Sequence, residues 1–444
     1  MKILVVGSGP AGATAAYWLG QAGHEVTVLE KTRFPREKVC GDGLTPLAVR
    51  EMDLMGLPHG TEQGYHLQKG LRLRASGRSI EVPFESAGDI PGYGLVRTRY
   101  GFDEELAEHA RAAGAVVLEG HAGHEVIRAQ ELESAPEGVS AGVLSQPDRI
   151  VGIRAQLHDE RGRRTSQTRE FYADLVLAAD GNSTRAAVSA GLAKRDDRPM
   201  GVAVRAYYDS PLGDLDWMEG WLELEGDRSE SSGKPELLPG YGWIFGVGDG
   251  TANVGLGILN TSQQFGKLDY RQVLSDWTGA MPDEWTLDPE HRAGRVLGAA
   301  LPMAFNRTPH YIPGLMLLGD AGGMVSPFNG EGIANAMQSA RIAAGVIEDA
   351  ATANGPAQRE LILNRYPDII RQTWGSHFTL GRACAELIGH PALMKASVSL
   401  GMRWPALMKI VVDVMADLTP QDPRHLADRV VHLVESLTPA TSTR

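Results

Sequence analysis

The sequence has little cysteine. Cys40 and Cys384 are the whole complement among 444 residues, which excludes a disulfide framework and points to a reducing compartment. Positive charge is short as well, with 43 Lys and Arg against 55 Asp and Glu and a formal net charge of −12. That balance argues against a nucleic-acid partner and against polybasic attraction to anionic lipid, so any membrane contact has to be apolar. No uninterrupted apolar stretch approaches the length of a membrane span, and no signal peptide is expected, because the first strand begins at Lys2. The 13 histidines form no metal-ligand spacing with acids or cysteines, no Ser-His-Asp arrangement can be argued, and no internal repeat is visible. The expectation is a soluble or peripheral cytoplasmic protein without a metal, long enough for two or three domains.

What is present begins with the first thirty residues. Lys2 to Val6 reads as a buried parallel strand, followed directly by Gly7-Ser8-Gly9-Pro10-Ala11-Gly12 and a helix over Ala11 to Ala22. A second strand, Glu25 to Leu29, ends at Glu30. In this βαβ start Gly7 permits the tight turn, Gly9 lets a pyrophosphate approach the backbone, and Gly12 lets the helix pack close. The helix N-terminus offers free N–H groups to phosphate, and Glu30 can accept hydrogen bonds from an unphosphorylated ribose. The dinucleotide is FAD or NAD; these residues alone do not choose.

Further along, Phe34 to Pro46 forms a loop with Cys40 beside Gly41 and Gly43, leading into a helix at Leu47 to Met55. Leu71 to Ala75 and Ser79 to Val82 read as a hairpin, Gly94 to Thr98 as a short strand, Arg99 to Ala113 as a helix and Ala115 to Glu119 as a strand. Gln130 to Arg149 reads as an extended loop on a β-meander, and Gly201 to Leu259 as an antiparallel sheet interrupted by a charged, Ser-rich, mobile loop at Glu225 to Glu236. Leu175 to Ala179 and Leu315 to Leu318 are buried strands, and a long helix spans Glu331 to Ala351. From Gln358 the pattern is helical and Met-rich. Three distant strand ends carry an acid beside glycine or closing a strand: Glu30, Asp180-Gly181 and Gly319-Asp320. Each alone is an ordinary turn or cap, but ligands of an open parallel sheet sit at the carboxyl ends of its strands, so together they predict convergence on one cofactor.

Gly7 to Glu30, Arg99-x-x-Phe102-Asp103, Asp180-Gly181-x-Ser183-x-x-Arg185 and Gly319-Asp320 with Pro327-x-x-Gly330-x-Gly332-Ile333 resemble the FAD-contacting motifs of p-hydroxybenzoate hydroxylase-like flavoproteins, over about Met1 to Ala351. The resemblance implies that the first motif holds the ADP part of FAD and that Arg99, Asp180 and Arg185 lie near the pyrophosphate. It further implies Asp320 near the ribitol or phosphate, the Gly330 to Ile333 backbone facing the isoalloxazine, and Lys31, Arg36, Cys40, Gly41 and Ala122 as further cofactor neighbours. Within that group, Phe34 to Leu44 and Pro239-Gly240-Tyr241-Gly242-Trp243-Ile244-Phe245 with Asp249 to Gly255 are similar to the geranylgeranyl reductase family, and the motif order looks most like its actinobacterial menaquinone reductases. One departure stands out: where the family's Tyr-x-Trp-x-Phe-Pro signature has proline, this chain has Gly246, which would loosen the backbone beside the pocket.

The implied chemistry is saturation of isoprenoid C=C bonds on a prenyl lipid, menaquinone or a geranylgeranyl group, with FAD carrying the hydride and NADPH or a ferredoxin-type protein as electron donor. Such a reaction asks the protein for an apolar tunnel, a proton source and exclusion of water. Tyr241, Trp243 and Phe245 alternate on one strand and share one face, which is either a sheet's core or a tunnel wall, with Gly246 at its end. Cys40 is either inert packing or a group that lines the site and relays a proton, so Cys40, Tyr241 and Trp243 are the candidate catalytic residues. The C-terminal Leu393, Met394, Leu400, Met402, Trp404, Leu407, Met408, Ile410, Val411, Val414, Met415 and Leu418 either enter a membrane interface or cover the substrate domain or a dimer contact.

The fold class expected is α/β, α+β overall: a Rossmann-type FAD-binding domain (1–75, 99–195, 301–352) interleaved with a mixed antiparallel β-sheet substrate domain (76–98, 196–300), then a helical region (353–444). The rival functions are an aromatic monooxygenase on the same frame and a non-catalytic flavin- and quinone-binding protein. The halogenase signature Trp-x-Trp-x-Ile-Pro is absent, and so is a second complete G-x-G-x-x-G unit that would hold NAD(P)H separately.

Overall fold

The computed structural model describes every residue except 138, 140–141, 143–145, 229–234, 418–437 and 444. Two sheets organise it. The first has six strands in the order Tyr311–Ile312, Leu315–Leu317, Leu175–Ala178, Lys2–Val6, Glu25–Glu30, Val116–Glu119, all parallel except the first pair. Its strands are apolar on both faces because both are covered. Ile3 and Val5 point into a core shared with helices Pro10–Gln21 and Ile333–Ala351, while Leu4 and Val6 point to the other side, toward Val126 and Ile153 of the meander His121–Arg128, Ile150–His158, Arg164–Tyr172. The three layers match the α/β expectation, and the polar stretch that the sequence predicts joins the first two meander strands.

The second sheet has seven strands: Arg292–Pro302, Met200–Asp209, Thr251–Leu259, Gly240–Gly246, Met218–Trp221, Gly70–Ala75, Arg78–Pro83. Every pair is antiparallel but one, Met218–Trp221 beside Gly70–Ala75, which joins segments far apart in the chain. One face buries Ile244, Val254 and Leu256 against Val273 and Leu274 of helix Tyr270–Gly279. The opposite face meets the Cys40 loop. The charged stretch expected to be a mobile loop is ordered at its ends, where Leu224–Arg228 and Pro235–Leu238 pair as a ribbon; residues 229–234 lie outside the description.

The C-terminal region is helical, as expected. Helix Tyr366–Ile388 sends Tyr366, Ile370, Trp374 and Phe378 into the core of the first sheet. Helices Pro391–Gly401 and Pro405–Met415 bury Met402, Met408 and Val412 against Leu73, Ile80 and Val82 of the second sheet and leave Leu393, Leu400, Trp404 and Val411 exposed. The reading in which these helices cover the substrate sheet thus describes their buried face. Leu418 lies outside the described residues. Among them, no helix is long and apolar enough to cross a membrane.

Candidate active site

The strand Lys2–Val6 delivers the chain to Gly7, whose φ is 94° and where a Cβ would stand 2.5 Å from the carbonyl oxygen of Ala179. At Gly12 a Cβ would stand 1.9 Å from the Gly7 oxygen, so turn and helix close up only without side chains. Gly9 differs. The nearest atoms to a Cβ there are guanidinium nitrogens of Arg36 and Arg99, each 3.8 Å away, so the backbone faces two cations across open space. Gly9 is also the cap of helix Pro10–Gln21 and has no side chain to satisfy its first N–H groups. Beside it the hydroxyls of Ser8 and Thr14 are buried without a protein partner. This donor set fits the pyrophosphate of a dinucleotide.

The two arginines are held by one carboxylate. Asp103, fully buried, accepts from Arg99 Nε at 2.6 Å and Nη2 at 2.8 Å and pairs with Arg36 Nη1 at 2.8 Å. Asp103 thereby fixes both guanidiniums beside Gly9, where their remaining N–H groups are available to an anion. Glu30 accepts from the Ser8 N–H at 2.9 Å and from the Thr32 N–H and hydroxyl at 3.0 and 2.7 Å, with Arg36 Nε at 3.4 Å, so its carboxylate is fixed at the end of its strand.

The other two strand-end acids come to the same edge. Asp180 follows Ala179, the residue against Gly7; its Oδ2 accepts from the N–H groups of Arg185 at 2.7 Å and Ala186 at 3.3 Å, while its Oδ1 is buried without a partner. Burial raises the Asp180 carboxyl above the usual range. At Gly319 a Cβ would be 3.2 Å from that of Ala11, which brings the turn against the head of the first helix. Burial raises Asp320 too, opposed by the charges of Lys38 and Arg99, and its Oδ1 lies 3.4 Å from where a Gly332 Cβ would be. Gly330 takes φ 74°, and Gly332 caps the helix that starts at Ile333. A Cβ on Gly181, φ 76°, would stand 4.0 Å from Lys38 Nζ.

Lys31 follows Glu30 and is exposed, Arg185 is exposed while its N–H bonds Asp180, and Ala122 pairs with Gln156 in the meander.

Above the cradle stands the aromatic ladder. Tyr241, Trp243 and Phe245 share one face of their strand, with ring centroids 6.2 and 6.4 Å apart. Ile244 and Gly242 point the other way, the former into the core beneath helix Tyr270–Gly279 and the latter against Trp277. The ladder faces the Cys40 loop: a Cβ on Gly41 would stand 3.3 Å from Trp243 Nε1, and one on Gly43 3.2 Å from Phe245 Cε2. Tyr241 donates its hydroxyl to the carbonyl of Asn329 at 2.5 Å, which ties this strand to the Gly330 loop. Burial, with Glu331 and Cys40 nearby, pushes the Tyr241 phenol up to about 12, so it stays protonated. Gly246 has a packing reason: a Cβ there would stand 2.6 Å from the Gly213 oxygen and 2.7 Å from the Leu215 nitrogen.

Several residues of this site lie inside the quoted motifs without having been singled out. Asp42 accepts from Tyr207 and from Asn253, and burial pushes its carboxyl up to about 6. Asn253, the polar residue in an otherwise apolar strand, also donates to the Cys40 carbonyl at 2.9 Å and accepts from Trp243 Nε1 at 2.9 Å. Such a buried amide in an apolar run is the signal that sequence reading had available. Glu331 bonds the Thr45 hydroxyl and is pushed up to about 7 by burial. Burial raises the Cys40 thiol; Arg99 pulls it down and Asp42 pushes it up. Among the described residues no His, Cys, Asp and Glu cluster could hold a metal.

Residues 1–229 match the family described as FAD binding domain. A menaquinone reductase of Mycobacterium tuberculosis is 32% identical over 433 residues, 96% of this chain and 94% of that one. The chain belongs to the geranylgeranyl reductase family of FAD-dependent oxidoreductases. A digeranylgeranylglycerophospholipid reductase of Methanopyrus kandleri is 28% identical over 400 residues, 87% of this chain and 90% of that one. The same fold occurs in a geranylgeranyl bacteriochlorophyll reductase-like protein from Thermoplasma acidophilum, TM-score 0.72 at 21% identity over 98% of both chains. It also occurs in a flavin-dependent brominase, TM-score 0.70 at 17% identity over 98% of both chains. FAD is thus the cofactor that the glycine cradle, the paired arginines and the three strand-end acids fit.

Proposed function

We propose that this protein saturates a C=C bond in the isoprenoid tail of a prenyl lipid, with menaquinone as the substrate and geranylgeranyl lipids as the nearest variants. The observation that carries this reading is the meeting of the aromatic ladder, the Cys40 loop and the Gly330 loop, joined by the Tyr241–Asn329 hydrogen bond at the edge of the cofactor cradle. Bound FAD, once reduced, supplies the hydride. Arg36, Arg99 and the head of the first helix hold its pyrophosphate, Glu30 its ribose, and Asp320 with Gly330 to Ile333 its flavin end. Tyr241, Trp243 and Phe245 line the path of the tail and keep water out, and the Cys40 thiol delivers the proton to the carbon that does not receive hydride. Residues of the six-stranded sheet form the cofactor layer and those of the seven-stranded sheet the substrate layer.

The lipid has to leave a membrane to enter. Exposed Leu393, Leu400, Trp404 and Val411 support contact with a membrane surface through the last two described helices, with Trp404 63% exposed at the junction between them. The electron donor in this reading is NADPH or a ferredoxin-type protein that visits the reduced state's precursor transiently. The deciding experiment is mass spectrometry of lipids after anaerobic incubation of the chemically reduced holoprotein with menaquinone bearing an unsaturated tail. One pair of hydrogens added to the tail, without oxygen, is the expected product. Unchanged menaquinone and geranylgeranyl lipid together would refute the reading, and a hydroxylated phenol formed in air would replace it with monooxygenation.

A further inference from the structure

The sheet face that carries the aromatic ladder is polar where it grips the Cys40 loop. The register sets two rows across three neighbouring strands: Arg205 opposite Gly255 opposite Trp243, and Tyr207 opposite Asn253 opposite Phe245. Gly255 makes room in its row, since a Cβ there would stand 2.7 Å from that of Arg205 and 2.3 Å from Trp243 Cζ2. The Arg205 side chain is 2% exposed, its guanidinium lies over the Tyr207 ring at 4.4 Å, and it meets the loop at three points. Its Nη2 pairs with the Glu37 carboxylate and donates to the Lys38 carbonyl at 3.3 Å, and its Nε donates to the Cys40 carbonyl at 3.3 Å. In the second row Asn253 donates to the Cys40 carbonyl at 2.9 Å and to Asp42 Oδ2 at 2.8 Å, and Tyr207 donates to the same oxygen at 2.5 Å. Among the described residues Arg205–Glu37 is the one ion pair between this loop and the sheet. So held, the loop lies on the rings: a Cβ on Gly41 would be 3.3 Å from Trp243 and one on Gly43 3.2 Å from Phe245. Where a single carbon barely fits, an isoprenoid chain does not.

We propose that Arg205 is a positioning residue that lays the Cys40 loop on the aromatic ladder as a lid, and that this lid comes off Trp243 and Phe245 to let a lipid tail lie along them. The second half rests on the reading of the ladder as the wall of the tail's path. A guanidinium suits the task, because its planar fork reaches three acceptors of one loop at once, which an ammonium on a flexible stem does not. The latch is asymmetric. Glu37 is 47% exposed, so its carboxylate passes into water at little cost and the pair opens without disturbing the core. With the loop lifted, the guanidinium faces the opened site, so release does not strand a buried charge. On the far face of the same strands Ile244 and Val254 stay packed, which leaves the sheet itself in place. Closed, the lid covers Trp243, keeps water from the site and returns Cys40 to it.

The test reads the loop and needs no turnover. Holoprotein is treated with trypsin, and cleavage after Lys38, whose carbonyl Arg205 holds, is followed by mass spectrometry. Cleavage after Arg341, inside helix Ile333–Ala351, is the control for global unfolding. Arg205→Gln should raise the Lys38 rate about tenfold relative to Arg341. Arg205→Lys, which keeps the charge and loses the fork, should raise it by about threefold, and it decides the matter if Arg205→Gln does not fold. Rates at Lys38 that merely follow those at Arg341 in both variants would overturn the proposal, since Arg205 would then be a general stabiliser. Geranylgeraniol added to wild type should raise the Lys38 rate as well; no change there, with the loop released in the variants, would refute the movement of the lid. The prenyl-reductase reading fails separately, on unreduced lipid in the assay above, and its failure would leave the hold of Arg205 on the loop standing.

Discussion

Gly246 shows how one residue takes its meaning from what lies opposite. In the sequence it looks like a loosened backbone where the family has proline; in the structure it is where the strand lies against Gly213 and Leu215 with no room for a Cβ. Gly246→Ala should lower stability by about 1–3 kcal/mol, and Gly246→Pro by at least as much, read as a fall in the thermal midpoint. Restoring the family's residue would therefore harm this chain. Gly12→Ala, with a Cβ 1.9 Å from the Gly7 oxygen, should prevent retention of flavin through gel filtration, whereas wild type stays yellow. The glycines, Glu30 and the two Asp-Gly pairs were legible because each has a local signature. Asp42 and Glu331 were not, because their burial and partners come from strands and loops distant in sequence, and Asn253 was marked only by its polarity in an apolar strand.

At the scale of elements, alternation along Tyr241 to Phe245 told that three aromatic rings share a face but not which face. The neighbours decide: Ile244 has the hydrophobic core and the aromatic rings have the Cys40 loop. Tyr241→Phe removes the bond to Asn329 and keeps the ring, so it should leave flavin bound while lowering the rate of tail reduction by about tenfold, the cost of one buried hydrogen bond. The last helices have two faces with separate fates. Met402, Met408 and Val412 are core, so their truncation should cost about 2–5 kcal/mol of stability each for Met→Ala. Leu400→Ser with Trp404→Ser should leave the thermal midpoint unchanged and weaken flotation with liposomes of neutral phospholipid, a choice of lipid that suits an acidic chain.

For the molecule as a whole, two buried titratable groups act on stability in opposite directions across the same mildly acid range. His310, fully buried, is held down near 4, so it favours the folded state above 6.5, and that contribution, about 3 kcal/mol, is lost as pH falls through 4. Asp42 has the opposite sign: its carboxyl, raised to about 6, favours the folded state below 3.8, and that preference is lost as pH rises through 6. The two contributions oppose each other between pH 4 and 6, so in urea midpoints measured over that range His310→Gln should give a fall with rising pH and Asp42→Asn a rise, each relative to a flatter wild type. The layered α/β fold was readable from the strand and helix patterns, but the pairing of Gly70–Ala75 with Met218–Trp221 was not, since nothing local marks a strand's distant neighbour. That pairing bears on biosynthesis. During translation the early hairpin emerges with its inner edge bare and waits for most of the cofactor layer to be made before its parallel neighbour arrives. A chain released at residue 195 should accumulate as insoluble protein, and a holdase that shields strand edges should raise the yield of the full-length chain more than that of a protein whose sheets are each built from one continuous segment.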